Sequence, residues 1–323
     1  MTTPTQSLTE LAPSQPIKVR NLWQDALRRL LRNKLSVIGL ILTCLFILMA
    51  IFGPIIAPYD YRAQNFRRTN AQPSAEYPLG TDDLGRDVYS RILFGARTAI
   101  SVGFFVTGLS MLIGIVLGGT SAYLGGFADW LVGRLIDVTQ SIPGILFAIL
   151  VNATIKNPTE ALFKLLYEST KLAVLKDTTY VDYFITLFAI AIVSWPAYAR
   201  LIRGQILYIR ATEYVAAAQA VGVPISRMLT RHIVPNAIGP VIVAATFGFS
   251  TAMILEASLS YLGVGIQEPN PSWGSMINNN LHQLRTRPIL PLVPAAVLGI
   301  AALAINYLGD GLNDALNPRA RAN

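Results

Sequence analysis

The chain is poor in charge, cysteine and histidine. Only 14% of its 323 residues are Asp, Glu, Lys or Arg, against roughly 25% in a soluble globular domain. Cys44 is the single cysteine, so an internal disulfide is excluded. Its place in an uncharged run reads as a small buried hydrophobe rather than a reactive thiol. The two histidines, His232 and His282, are far apart, and no metal-ligand set is assigned. No GxxxxGK[ST] run is present, so the chain has no phosphate-binding loop of its own. HExxH is absent too, and no catalytic residue is assigned. An intramembrane aspartyl enzyme, the remote alternative, needs two carboxylates sharing a proton. Its only material is Asp310, between two glycines after the last apolar run, and Asp137, which has Arg134 beside it as a helix-end partner.

What is present is apolar: 53% of the chain is hydrophobic. About 20 helical residues cross the hydrocarbon core, and six runs qualify. They are Ser36 to Ile56, Ala99 to Leu117, Leu135 to Ile155 (with Asp137 and Pro143), Tyr183 to Ile202, Asn236 to Leu262, and Ile289 to Leu308. The pattern predicts an all-α membrane protein with six transmembrane helices. Residues 1–35 form an N-terminal segment, disordered over its Ser/Thr/Pro/Gln-rich start. Residues 36–56 are the first span, too long for the h-region of a signal peptide (about 7–15 residues) and therefore a retained anchor. Residues 57–98 form an external loop with a short helix at 87–96, 99–312 a five-helix core, and 313–323 a tail.

Charge sets the orientation. Lys18, Arg20, Arg28, Arg29, Arg32 and Lys34 precede the first span against Glu10 and Asp25. Arg200, Arg203, Arg210, Arg227 and Arg231 around the connection between spans four and five face only Glu213. Both segments lie on one side if the spans alternate, and the opposite loops mix signs. Both termini are therefore expected in the cytoplasm.

The connection at 213–235, EYVAAAQAVGVPISRMLTRHIVP, breaks the apolar pattern. Its Ala-rich start favours a short helix. Gly222-Val223-Pro224 signals a turn. Ile225, Met228, Leu229 and His232 then recur at three- and four-residue spacing on one face of a second helix. A cytoplasmic helix–turn–helix follows, too short to cross a bilayer. Composition leaves two readings: an amphipathic connector lying on headgroups, or an element docking into a partner's groove.

Other features carry alternatives of their own. Asp82 to Asp87 lacks the twelve-residue loop and terminal Glu of a calcium-binding EF-hand and reads as a hydrogen-bonded turn. In 156–182, the spacing of Ala161, Leu162, Leu165, Leu166, Leu172 and Val174 predicts an amphipathic external helix, either covering the pathway mouth or lying on the membrane. Glu256, inside the fifth span, either lines the pathway or pairs with an arginine of a neighbouring loop.

The 213–235 segment resembles the EAA loop of ABC-importer membrane subunits, through Ala217-Ala218, Gly222 and the Ile233-Val234-Pro235 close. The motif's acid falls at Ala216 and its Leu at Val234, and Glu213 lies one turn upstream. Further stretches resemble the dipeptide/oligopeptide/nickel group of these permeases: Leu79-Gly80-Thr81-Asp82-Asp83-Leu84-Gly85-Arg86-Asp87, Glu256 to Gly263 with Pro271-Ser272-Trp273-Gly274, and Leu308 to Arg319. The resemblance implies the type I ABC-importer permease fold and the second permease of a pair. It also implies a non-enzymatic subunit of an inner-membrane importer for peptides, or alternatively for nickel or another chelated solute. The implied partners are a second permease, two cytoplasmic ATPases that bind the ATP, and an external substrate-binding protein; no cofactor is held by this chain. ATPase coupling falls to Glu213, Ala217, Ala218, Gly222, Ile233 and Pro235. Glu256, Ser260 and Trp273 are the pathway or external-gate candidates.

Overall fold

A computed structural model describes residues 27–172 and 178–316. Expectations for the N-terminal start, Val174 and the last residues of the C-terminal stretch lie outside that range. The described residues are helical apart from their connections. The elements are α1 (Lys34–Ile56), α2 (Val88–Leu124), α3 (Gly126–Ser141), α4 (Gly144–Thr170), α5 (Thr178–Arg210), α6 (Glu213–Ala220) and α7 (Ile225–Arg227). A π-helical turn, Met228–Ile233, leads into α8 (Val234–Tyr261), followed by α9 (Trp273–Asn280) and α10 (Ile289–Leu316). Among the described residues, five helices are long and apolar enough to cross a bilayer, six if the bent pair α3/α4 is one span.

Small residues let the spans approach. On α1 the buried positions are Ser36, Gly39, Thr43, Phe46, Ala50 and Gly53, a stripe at three- and four-residue spacing. A Cβ on Gly39 would stand 2.7 Å from the Ala304 carbonyl oxygen, so α1 meets the α10 backbone. Gly114 and Gly118, four apart on α2, face α5 in the same way. A Cβ at Gly114 would lie 2.6 Å from Tyr198 Cβ, and one at Gly118 would reach the Ala199 carbonyl. Where lipid replaces water, such close packing rather than hydrophobicity holds helices together.

Three expectations change. The third span does not run straight from Leu135 to Ile155. Ile142 is extended (φ −101°, ψ 134°) because the residue before a proline is disfavoured in the α region. The chain bends by 99° there, and α4 restarts at Gly144 and continues to Thr170. The amphipathic helix expected after residue 156 is thus the far end of this span. Lys156 sits within it and pairs with Asp182 at 3.1 Å. The short helix expected at 87–96 is no separate element. Asp87 caps a helix, its carboxylate accepting from Ser90 N–H at 2.8 Å, but that helix is α2 itself and runs to Leu124. The last span does not stop at Leu308 before Asp310: α10 continues through Gly309, Asp310 and Gly311 to Leu316. A Cβ at Gly309 would stand 2.7 Å from Thr246 Oγ1, and one at Gly311 would overlap Ser36, so these glycines serve close helix approach.

Candidate functional site: the 213–235 segment and the cavity above it

The segment after α5 is built on the exposed end of α2. Orphan carbonyls at a helix C-terminus need donors, and a cation suits the dipole there. Arg210 supplies both, donating to Tyr123 O at 3.0 Å with its guanidinium over the Tyr123 ring. Gln219 of α6 donates to Tyr123 Oη at 3.4 Å. Val215, fully buried, inserts among Ile206, Ile209, Met228, Ile233 and Ala237. One side chain thus anchors an eight-residue helix too short to be stable alone.

The helix stops as a Schellman motif. Gly222 takes φ +79°, a conformation that glycine adopts without a steric cost. Its N–H donates to Gln219 O at 3.0 Å, and Val223 N–H to Ala218 O at 3.2 Å. Val223 and Ala218 pack together against the same core, as such caps require. The second helix departs from expectation. It does not close at Pro235, because α7, the π turn and α8 run on as one apolar stretch from Ile225 to Tyr261. Val234 N–H bonds Leu229 O, five residues back. A π turn of this kind admits a proline that has no N–H for the ordinary ladder. Pro235 lies in the first turn of α8.

The opposite surface is open. Val221 is 84% exposed, and Tyr214 and Ile225 are exposed as well. Glu213, Ala216 and Ala217 are exposed, Ala218 is half-buried and Ile233 is buried. The segment presents a small, largely apolar face around a glycine with no atom within 4 Å of a would-be Cβ.

The binding-protein-dependent transport system inner membrane component family matches residues 90–322. The N-terminal TM domain of oligopeptide transport permease C matches residues 21–73. The chain belongs to this permease family. It is 38% identical to the oligopeptide transport system permease protein OppC of Bacillus subtilis, over 94% of this chain and 92% of that one. It is 37% identical to the dipeptide transport system permease protein DppC of Alkalihalophilus pseudofirmus, over 93% and 91%. It is also 34% identical to the glutathione transport system permease protein GsiD of Pectobacterium atrosepticum, over 94% and 93%.

In this multi-pass membrane permease a cavity of about 580 Å³ opens between α2, α5, α8 and the bend joining α3 to α4. Its polar lining is uncharged: Thr107, Gln140, Ser194, Tyr198, Thr251 and Ser258. Glu256, Ser260 and Trp273 do not reach it. Their side chains are buried, packed where α8 meets α9 and α2. Ser260 donates to Glu256 Oε1 at 2.7 Å and accepts from Ile266 N–H at 3.0 Å. Trp273 Nε1 donates to Ile92 O at 3.2 Å, lying against Gly95. No arginine pairs with Glu256 among the described residues, so the loop pairing weighed for it is not formed. Asp137 stands near Arg134 at 3.6 Å and Arg200 at 3.8 Å, all exposed.

Sequence reasoning missed an ion network at the opposite end of the permease. Asp82 does form the hydrogen-bonded turn, accepting from Leu84 and Arg86 N–H, and its other oxygen takes Arg86 Nε at 2.6 Å. Arg86 also reaches Glu268 at 2.6 Å, and Arg91 binds the same carboxylate at 2.9 Å. Burial opposes the Arg86 charge, but Asp82 and Glu268 outweigh it and raise its pKa. The residue types were visible, but the pairing of positions far apart in sequence was not. The cavity's neutral polar residues carried no signal that separates them from ordinary helix-facing Ser and Thr.

Proposed function

We propose that this permease forms half of the pathway of an ATP-driven peptide importer, and that the 213–235 segment couples it to the ATPases. The carrying observation is a short helix anchored at Val215 whose other face is left apolar and exposed. A groove on a cytoplasmic subunit is the natural acceptor for such a helix. ATPase closure would push α6, and the continuous helix from Ile225 to Tyr261 would carry that movement into the cavity wall. The neutral cavity suits a peptide, whose backbone needs hydrogen-bond partners whatever its side chains. Two ATPases, a second permease and an external binding protein complete the machine, and the ATP is bound and hydrolysed outside this chain. Both termini and the coupling segment lie in the cytoplasm. Peptide as cargo follows the naming of the OppC and DppC relatives. Ligand binding by the external protein separates it from nickel or another chelated solute.

The direct test places Cys at Ala217 or Val221 and crosslinks it to the co-purified ATPase. Crosslinks at both are expected. Absence of both, with ATPase still bound, would mean docking lies elsewhere.

A further inference from the structure

Neither the coupling segment nor the neutral cavity uses a second pair of features on the α2–α5 seam. The first is a pocket of about 340 Å³ lined by Tyr61, Arg62, Arg97, Ser101, Tyr183 and Asn270, with no acid in its wall. Neither Arg62 nor Arg97 joins an ion pair among the described residues. Arg62 meets the Tyr61 hydroxyl at 2.9 Å and the Tyr61 ring. The Asp60 carboxylate accepts from the Arg62 backbone N–H, joins no ion pair among the described residues and lies outside the pocket. Tyr183 is held in place by Ser101 at 2.6 Å and by Thr98 O.

The second feature is a groove of about 530 Å³ formed by Phe104, Phe105, Gly108, Leu112, Phe184 and Phe188. On α2 it continues the same face: Arg97, Ser101, Phe104 or Phe105, Gly108 and Leu112 follow at three- and four-residue steps; on α5 Leu187 stands four residues after Tyr183, with Phe184 and Phe188 beside it in the groove wall. Phe104 is 67% exposed and Leu112 58%, and no atom lies within 4 Å of a Cβ at Gly108. Depth agrees with the chemistry. Arg97 stands just before the uncharged run that begins at Ala99. Phe104 to Gly108 lies about 8 to 14 Å further along at the helical rise per residue, within the roughly 15 Å of one acyl leaflet, and Leu112 lies near the midplane.

We propose that this composite site holds one anionic phospholipid, its phosphate on Arg62 and Arg97 and its acyl chains along the aromatic groove. A cationic pocket between membrane helices recognises such a headgroup, and long apolar chains are what the groove can bury without unsatisfied polar groups. A peptide would leave its backbone N–H and C=O groups unpaired there. With the orientation proposed above, the site lies in the external leaflet; the lipid contact itself does not depend on that orientation.

The test uses the permease with its native partner subunits, reconstituted in equal phosphatidylglycerol and phosphatidylcholine and read by native mass spectrometry. Phosphatidylglycerol is expected to be retained over phosphatidylcholine. Retention should fall about tenfold or more in Arg62→Ala/Arg97→Ala, the loss expected of two lipid-facing cations. Gly108→Trp, which fills the groove and leaves both arginines, should lose the lipid as well. Equal retention in the double variant overturns the proposal. Displacement of the lipid by a dipeptide would give the pocket to substrate, and crosslinking of Gly108→Cys to the second permease would make the groove a protein interface; either overturns it. The readout needs no ATP or transport, so its failure leaves the coupling reading untouched.

Discussion

The two ends of α2 are finished in opposite ways. At its start, the 57–87 loop and the connection after α8 are locked together by Asp82, Arg86, Arg91 and Glu268, with Arg86 and Arg91 almost fully buried. Asn279 of α9 adds a bond to Glu268 at 3.0 Å. At its end, the 213–235 segment is held by apolar contacts on one face and by Arg210 and Gln219 on Tyr123. It forms no ion pair of its own among the described residues. The buried charges of the first end meet one another within this chain. The second end leaves an apolar surface open, as the proposed coupling role requires.

Perturbing the ion lock should have the largest effect. Glu268→Gln takes from the buried Arg91 its one carboxylate and leaves Arg86 with Asp82 alone, and breaking a buried pair costs about 3–5 kcal/mol. With the Glu268 side chain 36% exposed, the lower end is expected, read as a lowered thermal unfolding midpoint of the detergent-purified permease. An unchanged midpoint would show the lock to be ornamental. At the other end, Val215→Asp buries a carboxylate in an apolar cluster at a cost of about 2–3 kcal/mol. It should release α6, so that ATPase no longer co-purifies while membrane insertion persists. Retained ATPase would blur the contrast between the two ends.

Gly222→Ala meets no neighbouring atom and costs about 1–2 kcal/mol through the left-handed backbone alone. The permease should assemble yet lose most substrate uptake, and normal uptake would count heavily against a mechanical role for the turn. Glu213→Gln is the mildest change. An exposed acid at a helix start contributes about 0.3–1 kcal/mol, so assembly and uptake should stay near wild type if docking is apolar. A tenfold loss of ATPase affinity would instead show that Glu213 replaces the acid missing at Ala216.

Much of this was legible before any coordinates. Runs without charge predict spans because unpaired polar groups are too costly in lipid, and Ala-rich 213–220 followed by Gly222 predicts a helix and its stop. The break at Ile142–Pro143 was legible in principle, since the proline lay in plain view inside the expected third span. Sequence hydropathy cannot say whether a proline kinks a helix slightly or turns it through a near right angle. The π turn hid for a related reason. Pro235 reads as a boundary, and only the packing of Met228 and Ile233 against α5 and α6 makes a continuous helix worth its irregular hydrogen bonds.

Local chemistry along the chain therefore determined the class, the spans, the glycine turn and the family likeness. Tertiary structure alone decided which charges meet, as with Glu268 and the two arginines, and which candidates are sealed away, as with Glu256, Ser260 and Trp273. It also decided where cavities remain. Helix propensity and hydropathy act between near neighbours in sequence, whereas ion pairing, burial and empty volume depend on how helices distant in sequence are set side by side.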